Sequence, residues 1–213
     1  MLYWFVFTVM MPAGMGFRTG SYAWFLIAGL LPWIGFQEGI TRSATTLTEN
    51  APLVRQLAFR NEVLIVVPNL SALLFEIVAL SLFTIWLALR GTFSPLLWLV
   101  PFCLLVQFAL QLGVGCLLAT LHLFSRDIVQ VLGFLLSVVF YLTPIIYPVT
   151  PRYDALLWWN PIAPLVGLFR SALLGAPLPA GQSIVLLLSV AAALLLAGLL
   201  LFKNVQPEIA DLV

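Results

Sequence analysis

Charge is scarce in this sequence. Only 8% of the 213 residues are Asp, Glu, Lys or Arg, against about 25% in an ordinary soluble domain, while 63% are hydrophobic and the mean hydropathy is +1.14. A water-soluble globule is excluded, and the chain reads as an integral membrane protein. The formal net charge of +1 provides neither a nucleic-acid-binding face nor a polybasic membrane-surface patch. Lysine occurs once, at Lys203, with no glycine-rich turn before it, which excludes a phosphate-binding loop. Histidine also occurs once, at His122, and no Cys or carboxylate cluster around it has metal-ligand spacing. Cys103 and Cys116 fall on one predicted helix roughly 20 Å apart, too far for a disulfide, and read as packing residues.

Long apolar runs dominate what is present. Hydrocarbon cannot satisfy bare backbone groups, so spans are helices or a closed barrel, and the runs lack the alternation a barrel strand needs. An all-α membrane protein is predicted, one domain over 1–213 with about six spans at roughly 1–13, 21–40, 63–89, 95–124, 128–143 and 182–202. The first apolar run, of about twelve residues, falls short of the roughly twenty needed to cross, and it lacks the basic start and cleavage site of a signal peptide. A misassigned start, a fragment and a shortened helix all fit it. The second span is interrupted by Pro32 and ends at Gln37 and Glu38; the third carries Pro68 and, mid-span, Glu76. Gln107 and Gln111 share one face of the fourth. The fifth starts after Arg126-Asp127 and meets Pro144 and Pro148, which predicts a break within 143–148. Two short re-entrant or interfacial helices, 155–159 and 162–174, are predicted to join at Asn160-Pro161 before the last span.

Residues 41–62 are the most polar stretch, with three of the nine basic residues. Placing this loop in the cytoplasm leaves five basic residues inside and four outside, a weak vote with the densest cluster inside. Asn50 is placed to cap a short helix with Pro52 in its first turn. Leu53, Val54, Leu57 and Phe59 then form an apolar side opposite Arg55 and Gln56; an ordinary solvated loop is the other reading. A mid-bilayer carboxylate costs roughly 2.5 to 3.5 kcal/mol on insertion scales, so Glu76 either bonds Gln107 or Gln111 as structural glue or lines a water-filled path. Tyr141, Tyr147, Tyr153, Trp158 and Trp159 fit an interfacial aromatic belt. Arg126-Asp127 is either a charged stop or a contact surface.

In order and spacing, the Gly29-Leu30-Leu31-Pro32-Trp33 run, the loop from Glu49-Asn50 to Phe59, the stretch 124–148, Asn160-Pro161 and the R-x-x-L-L-G at Arg170 to Gly175 resemble the permease subunit of type 2 ABC exporters. These move polysaccharides: O-antigen, capsule or teichoic acid. The resemblance implies a multi-pass protein of the bacterial cytoplasmic (inner) membrane, homodimeric, passing a lipid-linked polysaccharide. ATP and Mg belong to a separate ATP-binding-cassette partner, so this chain is no enzyme and holds no cofactor. It implies a cytoplasmic coupling helix at Asn50, Leu53, Val54, Arg55, Leu57 and Phe59, and a path or outer gate, spanning 144–181, drawing on Glu76, Tyr141, Pro144, Tyr147, Trp158, Trp159 and Arg170. Many such permeases have a proline where this chain has Arg60. The tryptophans become sliding surfaces for sugar rings on this view, and Arg170 a contact for lipid pyrophosphate or acidic polymer, against a plain salt bridge with Asp154 or a headgroup contact. Rival readings are a type 2 permease for a drug or other small molecule and a membrane-embedded lipid or sugar transferase, whose usual cluster of intramembrane acids, histidines or arginines this sequence lacks.

Overall fold

The computed structural model describes residues 21–54, 61–92, 94–148 and 160–209. The predicted first span, Arg55, Leu57, Phe59, the helix at 155–159, Trp158 and Trp159 lie outside them. The α-helices of the described residues are α1 (Ser21–Glu49), the single turn α2 (Ala51–Val54), α3 (Asn61–Leu89), α4 (Val100–Phe124), α5 (Ile128–Leu142), α6 (Ile162–Leu174) and α7 (Gly181–Val205). Helices α1, α3, α7 and the segment Leu97–Phe124 are long and apolar enough to cross a membrane, while α5 and α6 are shorter apolar helices.

Local chemistry sets several ends. Pro101 lies in the first turn of α4, where its missing N–H is no loss. Pro144 pushes Thr143 into extended geometry (φ −84°, ψ 135°), which stops α5. Gly175 closes α6 in the left-handed region (φ +67°), a conformation that suits glycine.

The second predicted span differs from expectation. Instead of breaking at Pro32 and ending near residue 40, α1 is one helix of 29 residues, about 43 Å long. Pro32 leaves the Ala28 carbonyl without its intrahelical donor, and packing on neighbouring helices can carry a membrane helix through such a point. Here Gln107 Nε2 donates to the Pro32 carbonyl at 3.2 Å and Gln111 Nε2 to the Gly35 carbonyl at 2.7 Å, tying α1 sideways to α4.

Helix α1 is central, packed against α3, α4, α5 and α6, and α4 packs in turn on α7. The α4–α7 crossing is backbone to backbone: a Cβ on Gly198 would stand 2.3 Å from the Gly113 carbonyl oxygen. Small residues permit such close approach where lipid removes the hydrophobic driving force. Opposite these contacts, Phe75, Val78 and Leu82 of α3 and Val185, Leu196 and Leu200 of α7 are exposed and apolar, a surface suited to lipid.

Two levels mark the span. At one end Trp24 meets Trp86 edge-on at 5.5 Å, with Arg90 over the Trp86 ring, the amphipathic grouping expected at a headgroup boundary. At the other, Thr46 Oγ1 donates to the Leu64 carbonyl, and α1 ends at the exposed Glu49. Trp24 and Thr46 are about 33 Å apart along α1, close to a hydrocarbon thickness of about 30 Å.

Candidate functional site

Three regions gather the residues marked out by sequence: a polar seam halfway across the bundle, a groove beside it, and an irregular elbow at the Trp24 end. The turn at Ala51–Val54 is a fourth.

Glu76 lies in the seam, about 16 Å down α1 from Trp24. It is buried, and its Oε2 accepts a 2.5 Å hydrogen bond from Gln107 Nε2. The carboxyl rests against Gly35, where a Cβ would stand 2.1 Å from Oε2. About two turns away along α3, Asn69 Nδ2 donates to Ser43 Oγ at 2.7 Å and to the Ile65 carbonyl at 2.8 Å, with Asn69 and Gln111 packed over Gly39. Bare glycine faces on α1 thus receive polar side chains of α3 and α4. Acceptors outnumber donors, since Glu76 Oε1, Gln107 Oε1, Gln111 Oε1 and Asn69 Oδ1 are buried without a donor among the described residues.

The groove lies between α1 and α5. Leu30, Trp33, Ile34, Gln37, Leu136, Ser137, Phe140 and Tyr141 enclose about 320 Å³, and Trp33 Nε1 donates to Gln37 Oε1 at 3.0 Å. Tyr141 lines it and packs edge-on to Phe140. The exposed face of α1 continues from the groove as Gln37, Glu38, Thr41, Arg42 and Glu49, with Glu38 and Arg42 ion-paired at 2.6 Å and their side chains 46% and 60% exposed. Gln37 and Glu38 sit about 20 Å below Trp24, well inside the hydrophobic thickness. Charged groups at that depth face water or protein rather than lipid.

In the elbow, residues 143–148, Pro144 and Tyr147 are buried, and the Tyr147 hydroxyl lies 3.0 Å from the Tyr141 carbonyl oxygen. Arg170 is not at a lipid surface as the headgroup reading had it. It is 6% exposed, donates through Nη1 to the Pro144 carbonyl and through Nη2 to the Ile145 carbonyl, and its guanidinium lies 3.5 Å over the Phe25 ring. No described carboxylate pairs with it, the one described ion pair being Glu38–Arg42.

At the opposite end Asn50 stands directly before the turn α2. Asn50 Nδ2 donates backward to the Thr46 carbonyl at 2.8 Å, finishing α1, and the Asn50 backbone carbonyl accepts from Leu53 and Val54. Leu53 is 39% exposed, whereas Val54 is buried with Leu47, Leu64 and Ile65. Leu53 is open at the surface, and Val54 anchors the turn. Among the described residues no group of His, Cys, Asp or Glu is arranged to hold a metal.

Trp33, Gln37 and Ser137 of the groove were not among the residues expected to line the path. Gln37 reads as the end of a span, and isolated Ser and Trp residues carry no signal of their own.

No protein-family model matches the chain. Two Klebsiella pneumoniae proteins named O-antigen export system permease protein RfbA are each 24% identical to it over 217 residues, covering all of this chain and 82% of theirs. A Myxococcus xanthus protein of the same name is 25% identical over 219 residues, covering 99% of this chain and 82% of its own. The chain resembles O-antigen export permeases along its whole length. These permeases are named for transport, not for a reaction, and the likeness takes in the seam, groove, elbow and inner turn together.

Proposed function

We propose that this chain is the membrane-spanning permease of an exporter that moves lipid-linked polysaccharide across the bacterial cytoplasmic membrane, driven by ATP on a separate ATP-binding-cassette subunit. The observation that carries this reading is the polar and charged face of α1 beside the α1–α5 groove, which lies at membrane depth. A permease needs such a face to enclose water and substrate; an anchor does not. Two copies facing one another across it would form a path, its outer end closed by the elbow and α6. Six spans per copy is the count we adopt, with α5 and the segment before residue 21 among them.

The continuous α1 gives ATP-driven motion a route. Its inner end carries the turn with exposed Leu53, proposed as part of the coupling helix with Asn50, Arg55, Leu57 and Phe59. Its outer third, at Tyr22 and Phe25, is hydrogen-bonded to the elbow and to Arg170. Displacement of the turn by the ATPase reaches the elbow through one rigid rod. Glu76 serves as interhelical glue here, and Tyr141 faces the path.

The test is affinity purification of the tagged chain from native membranes with ATPase activity assayed. An ATP-binding-cassette subunit is expected to co-purify with the wild type and to be lost with Leu53→Glu at unchanged membrane abundance. Absence of any such subunit from the wild-type preparation overturns the proposal.

A further inference from the structure

The elbow is irregular backbone buried at the Trp24 end of the bundle, and buried backbone persists only where its polar groups find partners inside the protein. Every carbonyl from 141 to 146 lies within reach of a donor, those of 141 and 142 sharing the single Tyr147 hydroxyl proton. The Tyr147 hydroxyl lies 3.0 and 3.2 Å from the carbonyls of Tyr141 and Leu142. Ile145 N–H closes a tight turn onto the Thr143 carbonyl at 2.7 Å. Arg170 takes the next two, Nη1 to Pro144 at 2.6 Å and Nη2 to Ile145 at 2.7 Å. The Tyr22 hydroxyl takes Ile146 at 3.0 Å. Asn160 Nδ2 adds a bond to Thr143 Oγ1 at 2.9 Å.

Arg170 is the one side chain in this set that binds three segments at once. While two of its nitrogens hold the elbow, Nε donates to the Phe25 carbonyl of α1 at 3.3 Å, and its own backbone belongs to α6. The planar fork of a guanidinium suits divergent donation of this kind, and a lysine ammonium does not. The seat is shaped for it, because a Cβ on Gly29 would stand 2.7 Å from Nη2.

We infer that Arg170 is the positioning residue of the elbow: seated in the notch left by Gly29, its guanidinium binds residues 144–145 to α1 and α6, so that the elbow and the outer third of α1 move as one unit. All of its observed bonds go to main-chain carbonyls, so its role is to place the elbow rather than to meet substrate. The inference deepens the gate in the proposed function and rests on that reading only for its consequence in transport.

Hydrogen–deuterium exchange on the purified full chain in lipid nanodiscs tests it without partner or substrate. In Arg170→Met and in Arg170→Lys, the amides of Ile145, Ile146 and Tyr147 are expected to exchange at least tenfold faster, while the α3 and α4 amides around Glu76 and Gln107 keep wild-type rates. Gly29→Ala, with Arg170 intact, is expected to raise elbow exchange by a smaller factor and to add nothing in an Arg170→Met background. Unchanged elbow exchange in Arg170→Met, full wild-type protection in Arg170→Lys, or additive effects of the Gly29 and Arg170 changes overturns the inference. If Arg170→Met fails to insert, the Gly29→Ala and Arg170→Lys results decide on the same criteria. Loss of ATPase co-purification would strike the permease reading and leave these rates untouched.

Discussion

The seam and the elbow solve opposite problems. In the seam three helices run on through the prolines at 32 and 68, and polar side chains fill the space against glycines. Four of its side-chain oxygens have no donor among the described residues. In the elbow the backbone leaves regular geometry, and donors from Tyr22, Tyr147 and Arg170 meet its carbonyls. Backbone irregularity is tolerated only when satisfied, whereas surplus acceptors on side chains are tolerable beside intact helices. The elbow is therefore the more tightly determined of the two, and the seam the more adaptable.

The largest effect tests the limit of that adaptability. Gly35→Ala places a methyl 2.1 Å from Glu76 Oε2 and 2.8 Å from its Cδ, and is expected to cost about 3 kcal/mol, the upper part of the overpacking range, read as a drop in thermal unfolding temperature in detergent. A wild-type midpoint would mean that the α1–α3 contact is loose. Gln107→Leu comes next, since it strips the donor from both Glu76 and the Pro32 carbonyl; about 2 kcal/mol is expected. Glu76→Gln should stay within about 1 kcal/mol of wild type, because it keeps the shape and adds a donor to a seam rich in acceptors. Full export by Glu76→Gln at unchanged protein level identifies the carboxyl as structural, and loss of export at that level makes it functional. The most local effect belongs to the elbow: Tyr22→Phe removes the donor to the Ile146 carbonyl, at about 1 kcal/mol, with the fastest exchange expected at residues 145–147.

Some of this was legible in the sequence. Prolines mark their own consequences, so the end of α5 and the short helix at 162–174 follow from Pro144, Pro148 and Asn160-Pro161. The seam was half legible, because an acid and two glutamines within apolar runs must find one another. What stayed hidden was non-local. Nothing near Pro32 tells that glutamines some seventy-five residues away bind the turn there, and hydropathy ends a span at Gln37 although the helix runs on to Glu49. Arg170 invited an anionic partner, yet its partners are main-chain carbonyls, which have no signature in composition. Gly29 is one glycine among fourteen until a guanidinium is seen against it.

The central claim is that the α1–α5 groove and the polar face of α1 meet water inside the membrane. Single cysteines at Gln37 and Ser137, with Phe75→Cys on the outer face of α3 as control, can be probed in native membranes with a small membrane-impermeant thiol reagent; Cys103 and Cys116 are buried and contribute little background. Labelling at 37 and 137 and protection at 75 is the predicted result. Protection at 37 and 137, or equal labelling at all three, would contradict the account.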